Sequence, residues 1–318
     1  MNTSIHGIHH VTAIADDAQE NLDFYAGVLG MRLVKRSVNQ DATDTYHLFY
    51  ADAVGTPGTD LTFFPWPGME PARPGAGLIT EVALALPPGS LAYWRQRLAE
   101  NGVAIGEAET RFGETTLPVA DPHCLPLALV ETGDERPFVS WQNSPVPPEF
   151  QVRGMHAVTL RQRDFAPTEA LLTLLGFSLA GEEDGRRRRY GVEGGGSGRW
   201  VEVQEAPDER RGQWGTGGVH HVAWRTRDAS EEMALRAAIE RNGLRPTELI
   251  DRFWFQSVYF KEPGGVLFEL ATDGPGFGVD EDMEHLGERL VLPPWLESER
   301  AAIEAGLPPL TMPSPIRG

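Results

Sequence analysis

The chain has 318 residues, a formal charge of −18 and one cysteine. That length allows two ordinary domains with sizeable cores. The acidity argues against a nucleic-acid partner, which needs a positive footprint, and a single cysteine excludes a disulfide framework and a thiolate zinc site. No apolar run approaches the ~18–20 residues of a bilayer span and MNTSIHGIHH lacks a secretory leader, so a cytoplasmic protein without a membrane partner is expected.

The first element, His10-Val11-Thr12-Ala13-Ile14, alternates like a strand and is preceded by Gly7-Ile8-His9. Asp17, with Glu20 three residues on, reads as a helix N-cap. Its helix ends at Phe24-Tyr25-Ala26-Gly27-Val28-Leu29-Gly30, where glycine supplies the left-handed position. Strands joined by a Thr56-Pro57-Gly58 turn follow.

The pattern then restarts. A weaker copy begins at Gly77, ends its helix at Asn101-Gly102 and turns at Asp121-Pro122-His123. Residues 135–149, with Pro137, Pro145, Pro147 and Pro148, read as a linker. A third copy begins at Gly154-Met155-His156, is capped by Asp164 and ends its helix at Leu175-Gly176. Its Arg186–Arg189 run, after Glu182-Glu183-Asp184, reads as a solvated turn or strand end. The fourth copy, Gly218-Val219-His220-His221-Val222, is capped by Asp228, with Glu231 three residues later. Its helix ends at Asn242-Gly243, and its turn is Glu262-Pro263-Gly264. After Asp273 the pattern stops. One helix is expected over 295–305 before a Pro-rich tail from Leu307-Pro308-Pro309.

Four copies starting at Gly7, Gly77, Gly154 and Gly218 predict an α+β fold of four βαβββ modules in two open-barrel domains. The expected boundaries are an N-terminal pair over 1–135, a C-terminal pair over 150–272 and an extension over 273–318.

The repeat frame also ranks ligands. His10 and His221 share one slot on the first strand; the third copy has Ala157 there, and the second Thr80 or Glu81. In the turn-aligned frame, the carboxylate slot holds Glu269 in the fourth copy, Phe63 in the first and Ala128 in the second; in the third copy, which lacks that turn, Glu202 is the candidate. One site shared by the first and fourth copies is the economical reading. Two histidines and a carboxylate with positions left open form the facial triad of non-haem Fe(II) chemistry. Strand alternation nominally turns His9 and His220 away from that face, as buried, hydrogen-bonded residues or as supports for the ligands. Tyr259 and Trp254 lie on the strand predicted to pair with that of Glu269. His6, His47 and His285 have no repeat partner, while His123 and Cys124 read as structural.

With its βαβββ units and metal slots, the chain resembles the vicinal oxygen chelate superfamily, which includes glyoxalase I and extradiol dioxygenases. Tyr46-His47-Leu48-Phe49-Tyr50-Ala51-Asp52, Gly55-Thr56-Pro57-Gly58-Thr59, Thr110-Arg111-Phe112-Gly113, Glu262 to Glu269 and Asp280-Glu281-Asp282 resemble its hydroquinone-cleaving dioxygenase branch. The resemblance implies Fe(II), with Mn(II) as the alternative ion, on His10, His221 and Glu269. It also implies supporting or substrate contacts at His9, Thr12, His220, Arg252 and Tyr259, where the alignment at Arg252 is ambiguous. The expected partners are a small aromatic diol and O2; a homo-oligomer is compatible with the sequence. Two competing activities share the fold. A glyoxalase-type isomerase would call for a fourth ligand, usually a carboxylate, where the first copy has Phe63. A binding protein without catalysis would commonly lack the triad.

Overall fold

The computed structural model describes residues 4–312; the last six residues of the expected 273–318 extension lie outside them, as do the first three of the chain. Four modules are present. The first comprises β1 (Ile8–Ala15), α1 (Ala18–Leu22) running on into a π-helical turn, β2 (Arg32–Asn39), β3 (Ala42–Ala51) and β4 (Asp60–Pro65). The second comprises β5 (Leu78–Leu86), α2 (Leu91–Glu100), β6 (Glu109–Arg111), β7 (Glu114–Ala120) and β8 (Pro126–Glu131). The third comprises β9 (Met155–Gln162), α3 (Phe165–Leu174), β10 (Ser178–Glu183), β11 (Arg187–Gly191) and β12 (Trp200–Glu205). The fourth comprises β13 (Val219–Thr226), α4 (Ala229–Arg241), β14 (Ile250–Asp251), β15 (Gln256–Lys261) and β16 (Leu267–Thr272).

The local signals act as read. Asp17, Asp164 and Asp228 each accept backbone N–H groups at their helix starts, worth about 1 kcal/mol apiece. The second module lacks such a cap; Glu131, from β8, accepts the Leu91 N–H instead. The expected 295–305 helix is a 3-10 turn over Pro294–Glu299 followed by α5 (Arg300–Gly306).

Module pairing differs from the expected halves. One eight-stranded sheet runs β14-β15-β16-β13-β1-β4-β3-β2, the other β10-β11-β12-β9-β5-β8-β7-β6. The first module therefore joins the fourth and the second joins the third, so the sheets cut across 1–135 and 150–272. The cause is edge pairing. β1 pairs antiparallel with β13, and β5 with β9. A first strand left unpaired would expose a row of backbone donors and acceptors, and these pairings remove both open edges. Within modules, β1 runs parallel to β4 and β13 to β16, with the helix and two antiparallel strands lying between them in the chain. Tyr25, in the π-helical turn, packs on Phe63 at 4.4 Å, ring to ring, which fixes Phe63 on the helix side of its strand. The extension beyond β16 folds back over the other, concave face. There Phe277, Leu286 and Val291 cluster with Val34, Phe49 and Trp254. Buried Lys35 donates to Asp280 at 2.8 Å and to Glu281 at 2.5 Å, tying this extension to β2.

Candidate metal centre

β1 and β13 are the central pair of the first sheet, with Val11 opposite Val222 and Thr12 opposite His221. This register brings the two histidine slots together on the concave face. β16 lies beside β13 with Ala223 opposite Glu269, which adds the carboxylate. Among the described residues, His10, His221 and Glu269 form the one group of three His, Cys, Asp or Glu side chains whose ligand atoms converge, and all three are buried.

The Nε2 atoms of His10 and His221 are 3.2 Å apart. Glu269 Oε2 lies 2.9 Å from His221 Nε2 and 3.4 Å from His10 Nε2. Ligands about 2.1 Å from a shared ion and at right angles would be about 3 Å from each other, so these spacings fit. Glu269 Oε1 accepts from Ser257 Oγ at 2.5 Å, whereas Oε2 has no hydrogen-bond partner. Leaving a buried acceptor unsatisfied costs about 1–3 kcal/mol, and more for a charge. Burial would raise the Glu269 carboxyl, but the neighbouring His10 and His221 imidazoles hold it well below the usual carboxylate range. An anionic oxygen facing two imidazole nitrogens without hydrogen-bond alignment is a donor set suited to a divalent cation.

The adjacent histidines complete that set. The expected outward turn of His9 and His220 is not observed. His9 Nδ1 lies 2.9 Å from His10 Nδ1, and His220 Nδ1 lies 2.8 Å from His221 Nδ1. The β1–β13 register skips His9 on one strand and His220 on the other. Each is the extra residue of a bulge, which re-aims its side chain. Burial pushes both down to about 3, so both are neutral at physiological pH. A neutral ring can accept the ligand's Nδ1–H, which leaves the ligand's Nε2 lone pair free for the ion.

A cavity of about 40 Å³ opens over these ligands, walled by Phe49, Phe64, Trp254, Phe255 and Tyr259. Arg252, ambiguous in sequence, lines it. Its guanidinium carbon stands 5.4 Å from the centre of the Tyr259 ring, and its Nη2 donates to Asp41 at 2.9 Å. Burial pushes the Tyr259 hydroxyl pKa upwards. Trp254 donates from its indole to Asp280 at 3.1 Å. Thr12 Oγ1 is 3.0 Å from His221 Nε2 and 2.8 Å from Thr62 Oγ1.

The register corrects one slot. Glu269 pairs with Ala223, two residues beyond His221; two beyond His10 is Thr12, which pairs with Thr62. Thr62, not Phe63, occupies the carboxylate position of the first module. A turn-based alignment misses this by one residue, and one residue exchanges faces. The same count finds residues that sequence reading passed over. Phe49 opposes Thr62 as Tyr259 opposes Glu269, so His47 takes the position of Ser257.

Comparison with known proteins places these features in context. The family model described as the Glyoxalase/Bleomycin resistance protein/Dioxygenase superfamily matches residues 7–124 and 154–270. The chain is 41% identical to "Putative ring-cleaving dioxygenase MhqA" of Bacillus subtilis (strain 168), over 96% of this chain and 99% of that protein. It is 34% identical to "Chlorohydroquinone/hydroquinone 1,2-dioxygenase" of Sphingobium indicum, over 92% of this chain and 93% of that protein. The crystal structure of a "putative dioxygenase" from Bacillus subtilis subsp. subtilis str. 168 superposes with a TM-score of 0.91 at 39% identity, covering 98% of this chain and 99% of that chain.

Proposed function

Because this chain belongs to the Glyoxalase/Bleomycin resistance protein/Dioxygenase superfamily, we propose that it is an Fe(II)-dependent dioxygenase that opens the ring of a hydroquinone-type aromatic diol with O2. The observation that carries this reading is the orphaned Glu269 Oε2, which converges with two imidazole nitrogens whose rings line an aromatic-walled cavity. His10, His221 and Glu269 would hold the ion. When bound, Fe(II) lowers the acidity barrier of a phenol and shares electron density with O2, which a redox-inert ion cannot do.

The protein's own groups have separate tasks. His9 and His220 fix the tautomer and tilt of the two ligand rings. The aromatic walls keep water from the ring and align its plane. Thr12 stands beside the ligand nitrogen of His221, within reach of a substrate oxygen at the centre. The hydroxyl of Tyr259, kept protonated by burial, can donate a hydrogen bond or a proton to developing negative charge on that substrate. Arg252, over the Tyr259 ring and paired with Asp41, contributes positive potential at the mouth.

Thr62 in the first module's carboxylate position disfavours the isomerase reading, because a threonine hydroxyl is neither the carboxylate base nor a fourth anionic ligand. The test is anaerobic loading with Fe(II), Mn(II) or Zn(II), followed by oxygen uptake with hydroquinone and identification of the product. Uptake with Fe(II), little with Zn(II) and a ring-opened product are expected. Equal uptake by the Zn(II) form, or thiohemiacetal isomerisation without diol cleavage, would overturn the proposal.

A further inference from the structure

Of the three histidines without a repeat partner, His47 lies on the wall of the candidate metal cavity. Its ring is wedged between Phe49, 3.8 Å away by centroid, and Phe64, 4.4 Å away. Its Nε2 is 2.9 Å from Thr62 Oγ1, which continues through Thr12 to the edge of His221. Position and rotation of the ring are therefore both set. Its Nε2 is the ring nitrogen that is hydrogen-bonded; Nδ1 has no hydrogen-bond partner among the described residues, on a ring that lines the cavity. The other charged groups near the mouth, Arg252 and Asp41, already satisfy each other.

We infer that His47 Nδ1 is the specificity contact for the substrate oxygen remote from the metal centre, so that the pocket selects single-ring phenols with a second hydroxyl para to the first. This inference rests on the functional reading above, in that an aromatic diol binds at the His10–His221–Glu269 centre. The chain of contacts from His221 through Thr12 and Thr62 steps across neighbouring strands, from β13 over β1 and β4 to His47 on β3, and so sets His47 apart from the ligands along the cavity. A ring with one oxygen at the centre directs its para oxygen across the cavity, whereas a catechol directs both oxygens to the ligand side. Either direction of hydrogen bonding along the threonines leaves Nδ1 complementary to a hydroxyl, which both donates and accepts. A ligand that closes the cavity without this oxygen buries Nδ1 unsatisfied. Sites built to bond a hydroxyl reject analogues lacking it for that reason.

The experiment measures equilibrium binding to Zn(II)-loaded protein, where no turnover occurs, by titration calorimetry with hydroquinone, 4-methylphenol and catechol. Wild type should prefer hydroquinone over 4-methylphenol by about tenfold. His47→Phe should bring the two within about twofold at unchanged Zn(II) content. His47→Gln, which keeps a polar atom, should retain part of the preference and guards against a folding defect in the first variant. An unchanged preference in His47→Phe overturns the inference. So does a wild type that favours catechol over both para ligands, while leaving the diol reading standing. A Zn(II)-loaded wild type that binds none of the three overturns both.

Discussion

The two sheets are built on one frame and use it in opposite ways. In the first, Glu269 occupies the carboxylate slot, and the cross-strand positions facing it hold Ser257 and Tyr259. In the second, Glu202 fills the same slot, opposite Arg189 and two residues from Arg187. Arg189 donates to Glu202 at 2.7 Å and Arg187 at 2.9 Å. Arg189 also reaches Glu114, and the second module's histidine slot holds Glu81, clamped by Arg111. The charge run expected to be solvated thus contains a buried arginine, Arg189, because two carboxylates accompany it inside. Three arginines neutralise carboxylates in the second cleft; in the first, Glu269 has only imidazoles and a hydroxyl. The same slot leaves a carboxylate available to a cation in one sheet and neutralises it in the other, so the neighbours decide its character and the slot alone does not.

The strongest break of this contrast is His10→Ala. Removing one of the three proposed ligands, with more than 200 residues between it and the others, should take bound Fe(II) from about one per chain to none and abolish ring cleavage. Metal analysis after gel filtration checks it; a variant that keeps its iron and full turnover would refute the assignment. In the second cleft, Arg189→Met should do the converse. It leaves Glu202 and Glu114 partly unpaired in a buried site, which should destabilise the fold by about 3 kcal/mol in urea titration with iron content unchanged. Glu202→Ala should likewise leave the metal untouched.

The sequence showed the four modules, the three aspartate caps, the turns and the three side chains that converge in space, because each depends on local spacing or a matched repeat. Two kinds of information were beyond it. Pairing of the first module with the fourth depends on which edges meet in space, and residues 1–135 look self-contained when read as consecutive copies. Face assignment depends on register: Phe63 and Thr62 are neighbours, and a Pro-containing turn of uncertain length can assign the slot to either. The bulges at His9 and His220 break the alternation rule at the two residues where the rule was applied. For His47, the signal was present as a fixed offset of two from Phe49, but only the β3–β4 register relates it to Ser257.

A smaller effect tests the supports within the first cleft. His220→Phe keeps the stack on Trp214, at 4.8 Å, but removes the acceptor beside His221 Nδ1. Metal affinity should fall about 10- to 100-fold, measured by competition with a chelator, because the ligand ring loses its fixed tautomer and orientation. The corresponding change at His156, its counterpart in the second cleft, should leave that affinity unchanged, since His156 bonds Ser197 and Glu114 instead of a ligand.

The mildest change is Tyr259→Phe, and it separates holding the metal from using it. Tyr259 opposes Glu269 across the hairpin, yet Oε1 is taken by Ser257 and Oε2 faces the imidazoles. The phenol is therefore not needed to bind the ion, and iron content should stay at the wild-type level. The ring itself remains, with its edge-on contact to His221 at 5.8 Å and its place beneath Arg252. Only the hydroxyl is lost, and burial makes that hydroxyl a donor throughout the physiological pH range. If it stabilises charge developing on the substrate, kcat should fall about tenfold or more while iron stoichiometry is unchanged. Arginine, the residue at this position in the second cleft, would instead bring its cation to Glu269. Tyr259→Arg should lose metal as well as turnover, reproducing in the first sheet the neutralised carboxylate of the second.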